Sequence, residues 1–188
     1  MLRRVHRWSS LRFVPMSTYE YPGTRKERDQ KQDRLRVARK HLIDSEIKER
    51  NMSEQNRLVF EKFMAALNEK DMIAMESLID DDFVDNDAMP GMPPGKSGMV
   101  GMMQMFVTAF PDLNIVVDQW ISEGDLVVAI MTTSSGTQSG EFMGMPPSGK
   151  SFSVREIHVA KIVNGKMVEH WGVGNDMSMM QQLGAIPE

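Results

Sequence analysis

Residues 150–175 read KSFSVREIHVAKIVNGKMVEHWGVGN, and this stretch decides the fold. Two runs of alternating character, 150–163 and 166–175, flank Asn164-Gly165. Asn and Gly both tolerate positive φ, so the dipeptide suits the type I′ turn of an antiparallel hairpin. Side chains alternate along a strand, which places Phe152, Val154, Glu156, His158, Ala160 and Ile162 on one face. A simple two-residue turn pairs Ile162 with Met167, His158 with Trp171 and Glu156 with Val173. The inward face then presents Glu156, His158, Glu169 and Trp171 among apolar groups. A bulge in the second strand would shift this register and bring His170 inward instead. Ionisable groups facing a core are costly unless paired or used, so Glu156 and His158 are the first candidates for acid/base chemistry. The plainer alternative is that they satisfy each other.

Upstream, residues 114–122 and 125–138 also have period two and meet at Glu123-Gly124. Before them the period is helical. Phe60, Phe63, Met64 and Leu67 mark one helix starting near Ser53, which can cap it. A short helix is expected over 72–79. Met99, Met102, Met103, Phe106 and Phe110 share a face of a third, which Pro111 ends. A last short helix covers about 177–183, with Gly184 as its stop. Helices first and antiparallel strands after predict an α+β domain, with helices packed on one face of a curved sheet.

The segment DDDFVDNDAMPGMPPGKSG at 80–98 reads as acidic and turn-rich. Its Asp85, Asn86 and Asp87 are candidate rim or pocket groups, because Phe83-Val84 must turn inward just before them. Calcium is a poor fit: the run lacks the glycine and terminal glutamate of a calcium loop, and no metal is expected. GMPPGK at 91–96 has one residue too few for a phosphate loop, and its prolines remove amide donors. With GMPPSGK at 144–150 it is expected to form stiff loops at a cavity mouth, with Phe142 and Met145 as candidate ligand contacts.

The chain has 188 residues, no cysteine and 19 methionines, so disulfides, thiol catalysis and thiolate metal sites are excluded. No apolar run approaches the ~20 residues that span a bilayer, which excludes integral membrane association. Residues 1–51 carry 14 Lys and Arg against 7 Asp and Glu, while 52–188 carry 8 against 19. The expected organisation is thus a basic leader and charged helical extension, 1–51, before an acidic domain, 52–188. An acidic body argues against nucleic-acid binding. Residues 1–23 have the arginine-rich, acid-poor composition of a mitochondrial-type presequence. The expectation is a soluble cytoplasmic protein, or an organellar one if that leader is genuine.

Together DDDFVDND, AFPDL at 109–113, EGD at 123–125, GTQSGEFMGMPPSGK at 137–150, VNGKMVEHW at 163–171 and QQLG at 181–184 resemble the SnoaL-like polyketide cyclase and ester cyclase family of the nuclear transport factor 2-like superfamily. The resemblance spans about residues 52–184. It implies a cone of three helices on a curved, mainly antiparallel sheet, often paired as a homodimer. It implies a cavity for a hydrophobic small molecule and chemistry by side chains alone, without cofactor. In the cyclases a base removes an acidic proton between carbonyls, and the enolate closes an aldol ring. His158 matches the family's pocket histidine. Glu156 stands where the cyclases have an amide, and Asp85 where they have an asparagine, with Asn86 adjacent. The working aspartate of the cyclases corresponds to Gly172, and an aspartate of other relatives to Asn175, with Asp176 beside it. Glu156 or Asp176 would then supply the base. The alternatives are water activation on the same scaffold, as in hydratases and epoxide hydrolases, and a binding or dimerisation module that has lost its base.

Overall fold

The computed structural model describes residues 24–187. The presequence-like stretch 1–23 lies outside them. The chain divides into two compact units between Asp44 and Ser45.

In the first unit the described residues are helical and exposed. They begin α1, Arg25–Glu69. Thr24 and Glu27 start it as a reciprocal capping box: the Glu27 amide donates to Thr24 Oγ1, and the Thr24 amide to Glu27 Oε2.

The second unit holds the rest of α1, followed by α2 (Met72–Ser77), β1 (Ile79–Asp85), α3 (Lys96–Ala109), β2 (Asn114–Glu123), β3 (Leu126–Thr137), β4 (Ser151–Val163), β5 (Lys166–Gly174) and α4 (Asp176–Gln182). One five-stranded sheet runs β1-β5-β4-β3-β2. Every pairing is antiparallel except β1 with β5. This is the α+β architecture expected of a nuclear transport factor 2-like domain, with helices against one face of the sheet.

The hairpin forms where expected: Asn164 and Gly165 both have positive φ, at 52° and 77°. Gly184, at φ 76°, ends α4 as expected. Asn175 caps α4 by accepting from the Ser178 amide, and Asp71 caps α2 by accepting from the Ala74 amide.

Two expectations are corrected. Ser53 starts no helix, because α1 runs through it. Its hydroxyl instead accepts from the Gly124 amide at 2.9 Å, while Asn56 Nδ2 donates to the Gly124 carbonyl. Asn68 exchanges two hydrogen bonds with the Ile115 backbone, so three polar side chains tie α1 to β2 and the β2–β3 turn. The segment beginning at Asp80 is not simply a turn. Ile79 and Phe83 are buried and anchor an edge strand whose Asp81 and Asp82 are exposed, while Asp85 at its end turns its carboxylate inward. Parallel pairing to β5 supplies the order that the acidic composition does not.

The core joins Phe60, Phe63 and Leu67 of α1 to α3 and the sheet. Each fully buried side chain of this size contributes about 1.5–3 kcal/mol. Phe110 packs edge-on against Phe142 and Phe152, at centroid distances of 5.0 and 4.9 Å, and clamps the β3–β4 connection to α3.

Candidate active site

Two β-bulges build the site. The first lies in β5. Ile162 pairs with Met167 as expected, but Lys161 then pairs with Glu169, so one residue of β5 is extra. Everything beyond is shifted: Ala160 faces His170, His158 faces Gly172 and Glu156 faces Gly174. Directly paired residues share a face, so His170 points inward, while Trp171 and Glu169 turn to the other side. The simple-turn expectation for Glu169 and Trp171 is therefore corrected. Glu169 instead pairs with Lys161 at 2.8 Å. The second bulge lies between Met131 and Ser134 of β3. It pairs Ser134 with the inward-facing Val154 and so carries Ser134 inward.

Three strands bring four ionisable side chains into a row. Asp85 Oδ1, at the end of β1, lies 2.9 Å from His170 Nδ1. His170 Nε2 lies 2.9 Å from His158 Nδ1, with the rings stacked at 5.1 Å. His158 Nε2 lies 3.9 Å from Glu156 Oε2. His170 is only 7 % exposed. The row fixes the tautomers of neutral rings. Asp85 accepts from His170 Nδ1–H, so His170 Nε2 carries the lone pair and accepts from His158 Nδ1–H. His158 Nε2 is then the free ring nitrogen, directed toward Glu156.

Burial opposes the charge on Asp85, but the hydrogen bond and charge of His170 outweigh it, aided by the Asp87 amide, and hold its pKa below the ordinary value. Burial likewise opposes the charge on Glu156, and the neighbouring His158 together with the Ser134 hydroxyl more than compensates, so this carboxyl is also held low. Both carboxyls are therefore ionised near neutral pH.

Glycines make room for this row. A Cβ at Gly172 would stand 3.0 Å from His158 Nδ1 and 3.2 Å from His170 Cε1. Its backbone amide donates to Asp87 Oδ2 at 3.0 Å. A Cβ at Gly174 would stand 2.9 Å from Asp176 Oδ1 and 3.2 Å from Glu156 Oε1. Glu156 and Asp176 thus flank the same small space.

The row borders a cavity of about 240 Å³. Its apolar wall includes Phe60, Phe63, Met64, Leu67, Met99 and Phe106. Asp85, Glu156, His158 and Asp176 all line it, as do His170 and Ser134. The space is open rather than filled by methionine and phenylalanine.

The other candidates lie elsewhere. Asn86 holds β1 to β5, donating from both its amide and its side chain to the His170 carbonyl. Asn175 is occupied as the cap of α4. Phe142 is core, and Met145, within the β3–β4 connection, packs against that core. The 144–150 loop is not at the mouth, because Gln138 and Ser148 pin it from within: Gln138 Nε2 donates to the Pro146 carbonyl and Ser148 Oγ to Gln138 Oε1. The rim is formed instead by Asp87, Ala88, Met89 and Pro90. Trp120 packs on Phe60 at 5.6 Å and is core. Among the described residues no group of three His, Asp or Glu is arranged to hold a metal ion, and no helix is long and apolar enough to cross a membrane.

The sequence pattern of the SnoaL-like polyketide cyclase family matches residues 57–183. Among solved structures, TsrD from Streptomyces laurentii is 31 % identical, with a TM-score of 0.63 over 71 % of this chain and 97 % of its own. IdmH from Streptomyces antibioticus, a proposed polyketide cyclase, is 32 % identical, with a TM-score of 0.59 over 69 % and 99 %. AclR from Streptomyces galilaeus, a proposed hydroxylase, is 30 % identical, with a TM-score of 0.64 over 72 % and 99 %. No curated protein matched the chain by sequence. With the fold, the cavity and this match in agreement, the chain belongs to the SnoaL-like polyketide cyclase family.

Proposed function

We propose that this protein is an acid/base enzyme of the cyclase type, acting without a cofactor on a hydrophobic, carbonyl-bearing small molecule. The observation that carries this reading is the hydrogen-bonded row Asp85–His170–His158, which ends beside Glu156 in the wall of a largely apolar cavity.

In this reading His158 Nε2 removes a proton from the carbon beside a carbonyl. The electron pair moves onto the carbonyl oxygen as an enolate. The imidazolium that forms donates through Nδ1 to His170, which is held by the Asp85 carboxylate, and faces the Glu156 carboxylate through Nε2. Asp85 thus orients the rings and stabilises the charge without taking the proton, the role of the third member of a catalytic triad. The enolate carbon attacks a second carbonyl of the same molecule, and the new alkoxide takes the proton back from His158. General base catalysis of this kind is worth about 10²–10⁴ in rate.

The test is deuterium exchange next to the carbonyl of tetralone in D₂O, followed by NMR. The parent protein should accelerate exchange, and His158→Asn and Glu156→Gln should lose about a hundredfold or more of that acceleration. No acceleration by the parent, or full acceleration by folded variants, would reject the reading.

One observation favours a second reading, water activation for hydration or epoxide opening. Glu156 and Asp176 converge over Gly174, where two carboxylates could share a water. Diol formation from styrene oxide that depends on both carboxylates would select it.

The protein is further proposed to act as a homodimer. The sheet face away from the helices exposes Ile121 at 49 %, Ile157 at 47 % and Val173 at 74 %. Apolar groups gathered on one face are the kind of surface that a second copy covers.

A further inference from the structure

The cavity has an unusual balance of polar groups. Asp85, Asp87, Glu156 and Asp176 all contribute to its lining, and among the described residues no lysine or arginine does. The two imidazoles are tied into the row with Asp85. Asp87 answers only a backbone amide, that of Gly172. Glu156 and Asp176 face one gap over Gly174 and repel each other across it. The potential in the cavity is therefore negative, and its apolar wall limits screening by solvent.

A second observation points to a ligand. Ser134 is 4 % exposed and lines the cavity; its hydroxyl lies close enough to the Glu156 carboxylate to favour its charge but makes no hydrogen bond of good geometry. A buried hydroxyl left unmatched costs about 1–3 kcal/mol. The β3 bulge that turns it inward places it on the strand next to the one bearing Glu156. A ligand oxygen or nitrogen in the cavity would give it a partner.

We propose that this site selects its ligand by charge: it takes a neutral or amine-bearing apolar molecule, hydrogen-bonded by Ser134, and excludes carboxylates and phosphates. This rests on the reading of the cavity as the ligand site. Phosphorylated or carboxylated carriers would bring anionic groups into a cavity already lined by four carboxylates, with no lysine or arginine among the lining residues to receive them. The reactant would then be a free neutral compound, such as a ketone or an ester, rather than an acid. The size of the cavity suits one or two fused rings.

The experiment uses the full chain and a set of probes on one ring system: naphthalene, naphthylmethanol, naphthylmethylamine and naphthoic acid. Affinities are measured by titration calorimetry at neutral pH. The alcohol and the amine should bind at least about tenfold more tightly than the acid, the order of discrimination that one misplaced charge produces. Asp176→Asn with Glu156→Gln should narrow that gap, mainly by admitting the acid. Ser134→Ala should weaken the alcohol about fivefold and leave naphthalene unchanged, as expected for one lost hydrogen bond. Acid binding as tight as alcohol binding would overturn the proposal while leaving the ligand site in place. Equal loss of naphthalene and alcohol in Ser134→Ala would overturn the role of Ser134. If none of the four binds, the cavity is not a ligand site, and this proposal falls together with the functional reading.

Discussion

At the scale of single residues, Gly172 explains most. The family resemblance puts a working aspartate at this position, and the structure gives a physical reason for its absence here. The space a side chain would fill is occupied by the contact between His158 and His170. A side chain at 172 and the imidazole row compete for one volume. Gly172→Ala should therefore leave the fold intact at a cost of about 1–3 kcal/mol from overpacking. It should separate the two rings and lower activity by about a hundredfold, as small misplacements of reacting groups do. Imidazole nitrogen NMR checks it directly, since the fixed tautomers of the parent should give way to an averaged signal. Asp85 makes a second prediction. Its folded pKa lies below its ordinary 3.8, so its pairing adds stability above that pH, and the gain is lost as the pH falls through the lowered value. Asp85→Asn should cost about 1.5–3 kcal/mol at neutral pH. The gap from the parent should close once the pH falls below the lowered value, as read by denaturant unfolding across a pH series.

At the scale of elements, the two bulges decide what the cavity contains. Period two was enough to find β2 to β5, and the Asn-Gly turn located the hairpin within a residue. Alternation also placed Glu156 and His158 inward without the structure. It could not place His170 or Ser134, because an extra residue in a strand leaves no mark in hydrophobic pattern when it is an apolar Val168 or falls in a run of serines and threonines. The pairing partner selects the bulge, and that partner is distant in sequence. β1 was hidden for a related reason. Three successive aspartates outweigh Ile79 and Phe83 locally, and only β5 alongside makes the segment a strand. The unbroken α1 was missed because Ser53 has the chemistry of a helix cap but spends it on Gly124. Deleting Val168 tests the β5 bulge. Because Val168 is the unpaired residue, its removal should leave Lys161 opposite Glu169 and Ala160 opposite His170, with His170 still inward. Activity and far-UV circular dichroism should both stay near those of the parent, and loss of activity in a folded variant would show that the bulge does more than set the register. Phe142→Ala tests the clamp on the β3–β4 connection and should cost about 3–5 kcal/mol in denaturant unfolding.

At the scale of the whole molecule, the helix-free face of the sheet predicts self-association. Ile157→Lys or Val173→Lys should yield a monomer by light scattering if a second copy covers this face, and should leave the cavity unchanged, since these side chains point away from it. The cavity's other wall has a different consequence. Met64, Met89, Met99, Met102 and Met103 all border it, in a chain with no cysteine to act as a sacrificial reductant. Thioethers take up one oxygen under mild peroxide and become polar sulfoxides. Oxidation of the half-buried Met89, Met102 and Met103 would thus turn a greasy wall wet without touching the imidazole row, while Met64 and Met99 stay shielded in the core. A reductase that restores methionine would return the wall to service.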